Sequence, residues 1–428
     1  MSVSRTVPWG TACLLWCAVL VAAPAISKPS VSGDPPTAAP LALRASMQEV
    51  WNQSPEVQAA AAELAAARAR ADADAQPLYN PSLEFDAENA DTNRRTIGIS
   101  LPLDLSGKRR ARAAQGDAGL RASEADYELR RIDIASRWLR AWSATSLAAR
   151  QTELGRKRLS LMQRFDALAQ QRLQVGDISS PERDLAALAL SEAHAQQAAI
   201  IAREAAARAA LQTIAGEAST PPSALPQALP PSTDTVVALP VSELLELRVA
   251  RARQISAEAG VRVAQTARIP DPTFSLTGGE VRVGRIRDQV IGLSLSVPLP
   301  VRNSGRAEVA AARADANAAA ANAQAQRLRL HSALQEARTR YDALRGAEIA
   351  FRSSRAAAFE DRTALLEKIW RAGEMGTSDY LVQLKESLTT ALSGLDLESQ
   401  TWQAWFDYLT AAGRLNGWLE GRTQDIQP

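Results

Sequence analysis

The two halves of this 428-residue chain carry the same motifs in the same order, about 195 residues apart. Three pairs of segments match: 79–85 with 270–276, 97–103 with 291–299, and 106–108 with 304–306. Further along each half, a glycine follows a long alanine-rich stretch, at Gly176 and again at Gly373. A repeat of this length indicates a tandem duplication, so each element predicted in one half should have a counterpart in the other.

Each half predicts a helix, two strands, a very long helix and a return helix. Pro77 and Pro270 end the first helices, because proline removes a backbone donor and clashes inside a helix. Apolar residues then alternate with small or polar ones, a period of two that favours strands. The strands are predicted at 82–88, 95–103, 273–281 and 289–297, and the helices at 55–76, 107–173, 181–215, 241–268, 304–372 and 378–414.

The two long helices are predicted to coil. They lack proline, and at 1.5 Å per residue each spans on the order of 100 Å. Sevenfold spacing of apolar or small residues supports coiling. These positions are Leu147, Leu154, Leu161, Leu168 and Val175, and then Ala337, Leu344, Phe351, Ala358 and Leu365. Because aromatic residues make up only 5% of the chain, we expect small side chains to provide much of the packing.

The N-terminus predicts export. Arg5 precedes an apolar run at 7–23, and small residues up to Ser27 favour a signal peptide at 1–27. Acylation at Cys17 is an alternative, which the bulky Trp16 before it disfavours. No later run is long and apolar enough for a transmembrane helix. The predicted organisation is a signal peptide at 1–27, a first repeat at 28–218, a proline-rich linker at 219–240, a second repeat at 241–414 and a C-terminal tail at 415–428.

Composition and motifs exclude several functions. A formal net charge of +2 provides no basic field for nucleic acid. No catalytic or nucleotide-binding motif occurs, so the chain is not expected to be an enzyme or to need a cofactor. His194 and His331 stand alone in predicted helices, whereas a transition-metal site needs converging ligands. We therefore predict no metal site.

The four strands have the length of membrane-spanning β-strands, about 9–11 residues. A membrane barrel must close, and single-chain barrels need at least about eight strands. Either the strands form soluble hairpins or several chains share one barrel. Three chains would supply twelve strands, and the long helices would continue the barrel as a tube.

This order of elements, duplicated across a linker, resembles outer-membrane efflux proteins of the TolC type. The segment 101–109, Leu-Pro-Leu-Asp-Leu-Ser-Gly-Lys-Arg, is similar to that of the heavy-metal, CzcC-like branch. The resemblance implies a homotrimer with a twelve-stranded β-barrel in the outer membrane of a Gram-negative bacterium. A coiled α-helical tube would continue it into the periplasm and dock onto a periplasmic adaptor (membrane fusion) protein and an inner-membrane RND pump.

The resemblance also implies where the functional residues lie. In the family the two helix tips contact the adaptor and form the inner aperture, although the glycines there also simply turn a helical hairpin. We expect Ile178 and Met375 to be exposed at the turns, where they could contact the adaptor. The matching positions are Arg172, Leu173, Val175, Gly176, Asp177, Ile178 and Ser179, and Trp370, Gly373, Glu374, Met375, Gly376 and Thr377.

Asp379 matches an acidic residue of the family's aperture ring, where it would attract cations. It has an equally good interpretation as a carboxylate that complements a helix dipole. The second acidic position of the family pattern is Val382 here, which puts cation gating by a double ring in doubt.

The sequence thus predicts a passive exit duct for heavy-metal cations in a tripartite efflux system. One alternative is the same duct for drugs or for a type I secreted protein. A different class of protein, a soluble periplasmic coiled-coil adaptor or scaffold, remains the other alternative. The sequence does not name the metal, the pump or the adaptor.

Overall fold

The structure is a computed structural model that describes residues 38–216, 224–354 and 359–421. The predicted signal peptide, with Cys17, lies outside the described residues, as do 219–223 of the predicted linker and 422–428 of the predicted tail. The boundaries of the repeats therefore stay predictions.

Helices dominate the described chain, and one hairpin of strands lies in each half. Apart from the helix over 304–372, the predicted strands and helices are observed, with most of their ends within about three residues of the prediction. In chain order the elements are α1 Leu41–Gln53, α2 Pro55–Ala75, β1 Ser82–Asn89, β2 Thr92–Pro102, α3 Lys108–Gln174, α4 Ser180–Ala215, α5 Leu245–Ala267, β3 Thr273–Val283, β4 Ile286–Ser296, α6 Arg306–Ser353, α7 Phe359–Arg371, α8 Thr377–Ala411 and α9 Leu415–Glu420. Among the described helices, none combines the length and the apolar character needed to cross a membrane.

The second long helix is interrupted, so the prediction of one helix over 304–372 was wrong. Helix α6 ends at Ser353, and Ser354 has an extended backbone. The hydroxyls of Ser353 and Ser354 donate to the carbonyls of Ala350 and Phe351 at 2.9 and 2.7 Å. Such local bonds offer the backbone an alternative to the helix.

The interruption also changes which residues of α7 face inward. Sevenfold spacing predicts Leu365 at the helix interface, yet it is 57% exposed. Leu366 and Trp370 are buried in its place. The extended backbone at Ser354 breaks the register that sevenfold spacing assumes.

An aromatic core joins α3, α6 and α8 midway along the molecule. Trp405 and Phe406 are fully buried there, and Trp402 and Tyr408 are nearly so. Two segments not expected to pack contribute to this core. They are α1, through Leu43, Met47 and Val50, and α9, through Leu415, Trp418 and Leu419.

The described part of the linker lies against this core. The Tyr341 hydroxyl donates to the carbonyl of Pro231 at 2.7 Å, and the Tyr408 hydroxyl donates to that of Val236 at 2.9 Å. Burial raises the pKa of Tyr341 and of Tyr408, so both phenols stay protonated and can donate at neutral pH. These bonds hold the described part of the linker against α6 and α8 of the second repeat.

The strands form one antiparallel sheet in the order β1-β2-β3-β4. The central pair, β2 with β3, joins the repeats along eleven residues, from Thr92 opposite Val283 to Pro102 opposite Thr273. Strands β1 and β4 are the two edges, and each has one side without a partner strand among the described residues.

Candidate functional site

One face of the sheet is apolar and exposed. Its side chains meet across all four strands, since Leu83 lies opposite Ile99, Ile99 opposite Leu276, and Leu276 opposite Leu293. Leu83 is 73% exposed and Leu293 is 68% exposed. The further exposed apolar members of this face are Phe85, Ile97, Leu101, Phe274, Ile291 and Leu295.

The opposite face of the sheet is small and polar, because side chains alternate along each strand. Ser82 and Ser100 share a hydrogen bond at 2.9 Å, and Ser100 donates to Glu84 at 2.7 Å. Thr277 and Gly292 lie farther along this face. A sheet with one exposed apolar face and one polar face suits a boundary between lipid and water.

The far end of the helices holds two tips with the same geometry. Gly176 ends α3 and Gly373 ends α7, each with a φ of 77°, a conformation that favours glycine. At the first tip, the Asp177 amide donates to the carbonyl of Arg172 at 2.8 Å. At the second, the Glu374 amide donates to the carbonyl of Ile369 at 3.2 Å. Both are Schellman-type endings, which explains why glycines stand at equivalent positions of the two repeats.

A second aromatic cluster stabilises the tips from inside. Trp370 packs on Phe165 and Tyr380, with ring centroids 4.6 and 5.0 Å away, and it is only 1% exposed. Burial raises the pKa of Tyr380 to about 12. Thr377 is also buried. Trp370 and Thr377 therefore support the tips within the chain and present little surface to a partner.

Arg172 connects the two tips. Its guanidinium carbon lies 4.8 Å from the Trp370 ring centroid, within cation–π range. The same group donates to the carbonyls of Trp370 and Arg371, at 3.3 and 3.0 Å, where α7 ends. Its Nε is 3.7 Å from the Asp177 carboxylate. Arg172 thus complements the negative end of the α7 dipole and fixes the position of one tip relative to the other.

The tip surface is less apolar than expected. Ile178 and Met375, which the sequence predicts to be exposed, are half-buried against the aromatic cluster. Leu173 is also half-buried. Val175 is the apolar tip residue that extends outward, with 79% exposure. The remaining exposed tip residues are Gly176, Asp177, Ser179, Gly373, Glu374 and Gly376.

The start of α4 at the first tip is fixed by a cap. The backbone amide and the hydroxyl of Ser179 both donate to the Glu182 carboxylate at 2.8 Å. These bonds hold the pKa of Glu182 below its ordinary value. The capping fixes the direction in which the chain leaves the tip.

Asp379 lies exposed in the first turn of α8 and forms no ion pair with any residue that the structure describes. This position suits both interpretations of Asp379, the aperture carboxylate and the partner of the helix dipole. Val382, one turn further on, is 67% exposed.

An apolar groove above the tips was not predicted from the sequence. It has a volume of about 240 Å³ and lies between α3, α4 and α8. Burial lowers the pKa of Arg158 on its wall, while Glu192 opposes this shift. In the sequence, this groove is signalled only by apolar residues of α4 and α8 that lie outside the sevenfold pattern. Those with exposed side chains in the groove are Leu185, Leu188 and Val382.

The described residues contain no group of three or more His, Cys, Asp or Glu side chains arranged to hold a metal ion. His194 and His331 lie on different helices, α4 and α6. The prediction that this chain builds no metal site stays a prediction.

Comparison with known sequences identifies relatives. Residues 47–217 match the model of the family described as outer membrane efflux protein. The chain is 26% identical over 274 residues to the nickel-cobalt-cadmium resistance protein NccC of Alcaligenes xylosoxydans xylosoxydans, which covers 60% of this chain and 61% of that protein. It is also 26% identical over 278 residues to the cobalt-zinc-cadmium resistance protein CzcC of Cupriavidus metallidurans, covering 63% and 65%. The chain thus spans less than two thirds of either relative's length.

Comparison with solved structures identifies the fold. A membrane protein from Pseudomonas aeruginosa matches with a TM-score of 0.74 and 19% identity, over 91% of this chain and 99% of that one. The Campylobacter jejuni CmeC outer membrane channel matches with a TM-score of 0.72 and 15% identity, over 90% of each chain. CusC matches with a TM-score of 0.71 and 15% identity, over 88% and 93%. These matches confirm the predicted fold, and the sequence relatives confirm the predicted resemblance.

Proposed function

We propose that this chain is one subunit of a passive exit duct for heavy-metal cations. It is a relative of the outer membrane efflux proteins and shares the fold of solved outer-membrane channels. The observation that carries the proposal is the four-stranded sheet, with its exposed apolar face and its two unpaired edges. In water such a face and such edges would favour aggregation, whereas in a lipid bilayer the apolar face is stabilised. The relationship to efflux channels also supports the prediction that the chain is not an enzyme.

The unpaired edges favour assembly of three chains. Backbone groups of β1 and β4 need partners inside a bilayer, and four strands are too few to close on themselves. If β4 of one chain pairs with β1 of the next, three chains close a twelve-stranded barrel in the outer membrane of a Gram-negative bacterium. The polar face then lines the lumen, and helix α3, at 67 residues, extends on the order of 100 Å into the periplasm.

The proposed partners are a periplasmic adaptor at the tips and an inner-membrane RND pump that supplies the energy. Val175, Asp177 and Glu374 offer exposed side chains for the adaptor. The buried tip residues, Trp370 above all, set the position of that surface. The repeat symmetry gives each chain two similar tips, so a trimer presents six.

Heavy-metal cations are the proposed cargo because both sequence relatives are named for resistance to such metals. One is the nickel-cobalt-cadmium resistance protein NccC, and the other is the cobalt-zinc-cadmium resistance protein CzcC. The test is deletion of the gene, followed by growth on Ni, Co, Cd, Zn and Cu salts beside a panel of drugs and detergents. We expect sensitivity to metals alone, restored by a plasmid copy. Sensitivity to drugs with unchanged metal tolerance would instead assign the duct to drugs, the first alternative.

Fractionation tests the other alternative, a soluble periplasmic adaptor or scaffold. The duct should remain in the outer-membrane fraction after carbonate extraction and migrate as a heat-labile trimer. A carbonate-soluble monomer would contradict the duct.

Asp379→Asn tests the aperture. If three Asp379 side chains surround the pore, removing their charge should lower the cation-to-anion permeability ratio about two- to fivefold, as 0.5–1 kcal/mol of charge interaction implies. Planar-bilayer recordings of the purified channel measure this ratio. Asp361→Asn, which removes an equal exposed charge from α7, should leave the ratio unchanged. Equal effects of the two substitutions would favour the helix-dipole interpretation of Asp379.

A further inference from the structure

The apolar face of the sheet continues beyond the strands into two loops, which connect β2 to α3 and β4 to α6. Leu105 in the first loop is 73% exposed, and Leu299 and Val301 in the second are 75% and 84% exposed. Each loop leads directly into a basic segment at the start of a long helix. Arg109 and Arg110 follow the first loop, whereas Arg302 and Arg306 lie at the end of the second.

These four arginines are exposed and have no acidic partner in the part of the chain that the structure describes. Three acidic groups around the two loops are engaged with other partners. Asp271 pairs with Lys108 at 2.7 Å. Both Asp104 oxygens accept backbone amides at 2.9 Å, at the first turn of α3. Glu308 accepts from Asn303 at 2.9 Å.

Two of the arginines line a recess at the end of the sheet. Arg109 and Arg110 border a cavity of about 300 Å³ together with Tyr79, Asp104 and Gly107. Asp104 already caps the N-terminal end of α3, so the positive potential of the recess comes from the two guanidinium groups, which outnumber the single Asp104 carboxylate. Guanidinium groups bind phosphate through paired hydrogen bonds. The recess therefore suits a phosphate group better than a cation or an apolar group.

We propose that Arg109, Arg110, Arg302 and Arg306 bind the phosphate groups of anionic phospholipids in the leaflet on the helix side of the sheet. This inference rests on the proposed function, since it requires the sheet to lie in a bilayer. Leu105, Leu299 and Val301 then lie at the acyl boundary, and the arginines lie at headgroup depth. Basic residues beside an apolar segment are attracted to anionic lipid in this way.

The position of the loops argues for lipid over free phosphate. A soluble anion would gain nothing from the exposed apolar residues that precede the arginines in both repeats. The arrangement is also duplicated, because the two loops occupy equivalent places after β2 and β4. In a trimer, such a pair of basic segments in each chain would form a continuous belt around the membrane boundary.

The test uses the full-length protein, extracted from outer membranes in detergent and delipidated. Native mass spectrometry then measures binding of phosphatidylglycerol, which is anionic, and of phosphatidylethanolamine, which is zwitterionic. We expect the wild type to prefer phosphatidylglycerol at least fivefold, the effect of about one arginine near a lipid surface. The quadruple variant R109Q/R110Q/R302Q/R306Q should lose this preference.

A matched control removes charge far from the membrane boundary. Arg327 and Arg329 are exposed on α6, about 30 Å along the helix from Arg306. R327Q/R329Q should keep the preference for phosphatidylglycerol. An unchanged preference in the quadruple variant would overturn the inference, as would displacement of the lipid by an equal concentration of inorganic phosphate.

Failure of the inference is distinguishable from failure of the proposed function. If the wild type is in the outer membrane but shows no preference, the lipid site alone is wrong. If the wild type is absent from the outer-membrane fraction, the duct is wrong and the lipid site falls with it.

Discussion

Gly279→Ala is expected to abolish the proposed trimer in the outer membrane. Gly279 lies in β3, and a Cβ added there would lie 2.1 Å from the carbonyl oxygen of Arg95 and 2.7 Å from the Cα of Thr96. Both are backbone atoms of β2, so no rotation of a side chain relieves the clash. Because β2 and β3 join the two repeats, separating them disrupts the centre of the sheet.

Overpacking usually costs about 1–3 kcal/mol, and we expect a larger destabilisation here because the clash is with backbone atoms. Every chain of the proposed trimer would carry it. The measurement is the amount of heat-labile trimer in the outer-membrane fraction, compared with total protein. Gly278→Ala is the matched control, since a Cβ added there would lie 4.0 Å from its nearest neighbour, the carbonyl oxygen of Val290 in β4. Loss of the trimer in both variants would mean that this part of β3 tolerates no side chain, whatever the contact between β2 and β3.

Local patterns made the elements of this fold predictable. Alternation located the strands, because a half-exposed sheet needs one apolar and one polar face. Gly176 and Gly373 located the tips, because a Schellman ending needs a left-handed residue. The four-strand count together with the repeat also predicted that the chain cannot close a barrel alone. These features depend on residues that are close in sequence.

The features that the sequence did not predict depend on distant residues or on an interrupted register. At Ser353 and Ser354, α6 ends with side-chain hydrogen bonds to the backbone, and no proline marks this end in the sequence. The pairing of β2 with β3 brings together residues that are 171 to 191 positions apart, which alternation alone does not specify. Burial of Ile178 and Met375 likewise depends on an aromatic cluster formed by three helices, α3, α7 and α8.

Trp370→Ala should loosen both tips without unfolding the rest of the chain. Trp370 is nearly fully buried between Phe165 and Tyr380 and supports the Arg172 guanidinium. Truncating a buried tryptophan costs about 3–5 kcal/mol. Since the aromatic core midway along the helices is separate from this cluster, the loss should remain local. Hydrogen exchange should accelerate about 100-fold or more at the tips and stay unchanged around Trp405.

Val175→Asp separates support of the tip from contact with the adaptor. Val175 is 79% exposed, so a charge there should change stability by less than about 0.5 kcal/mol and leave exchange at the tips unchanged. If the tips bind the adaptor, this substitution should nevertheless reduce cross-linking between the two proteins. Trp370→Ala should reduce cross-linking too, but together with faster exchange, because it displaces the surface that Val175 belongs to. Normal cross-linking in Val175→Asp would show that the adaptor binds away from this tip, and the groove lined by Leu188 and Val382 would then be the surface to substitute next.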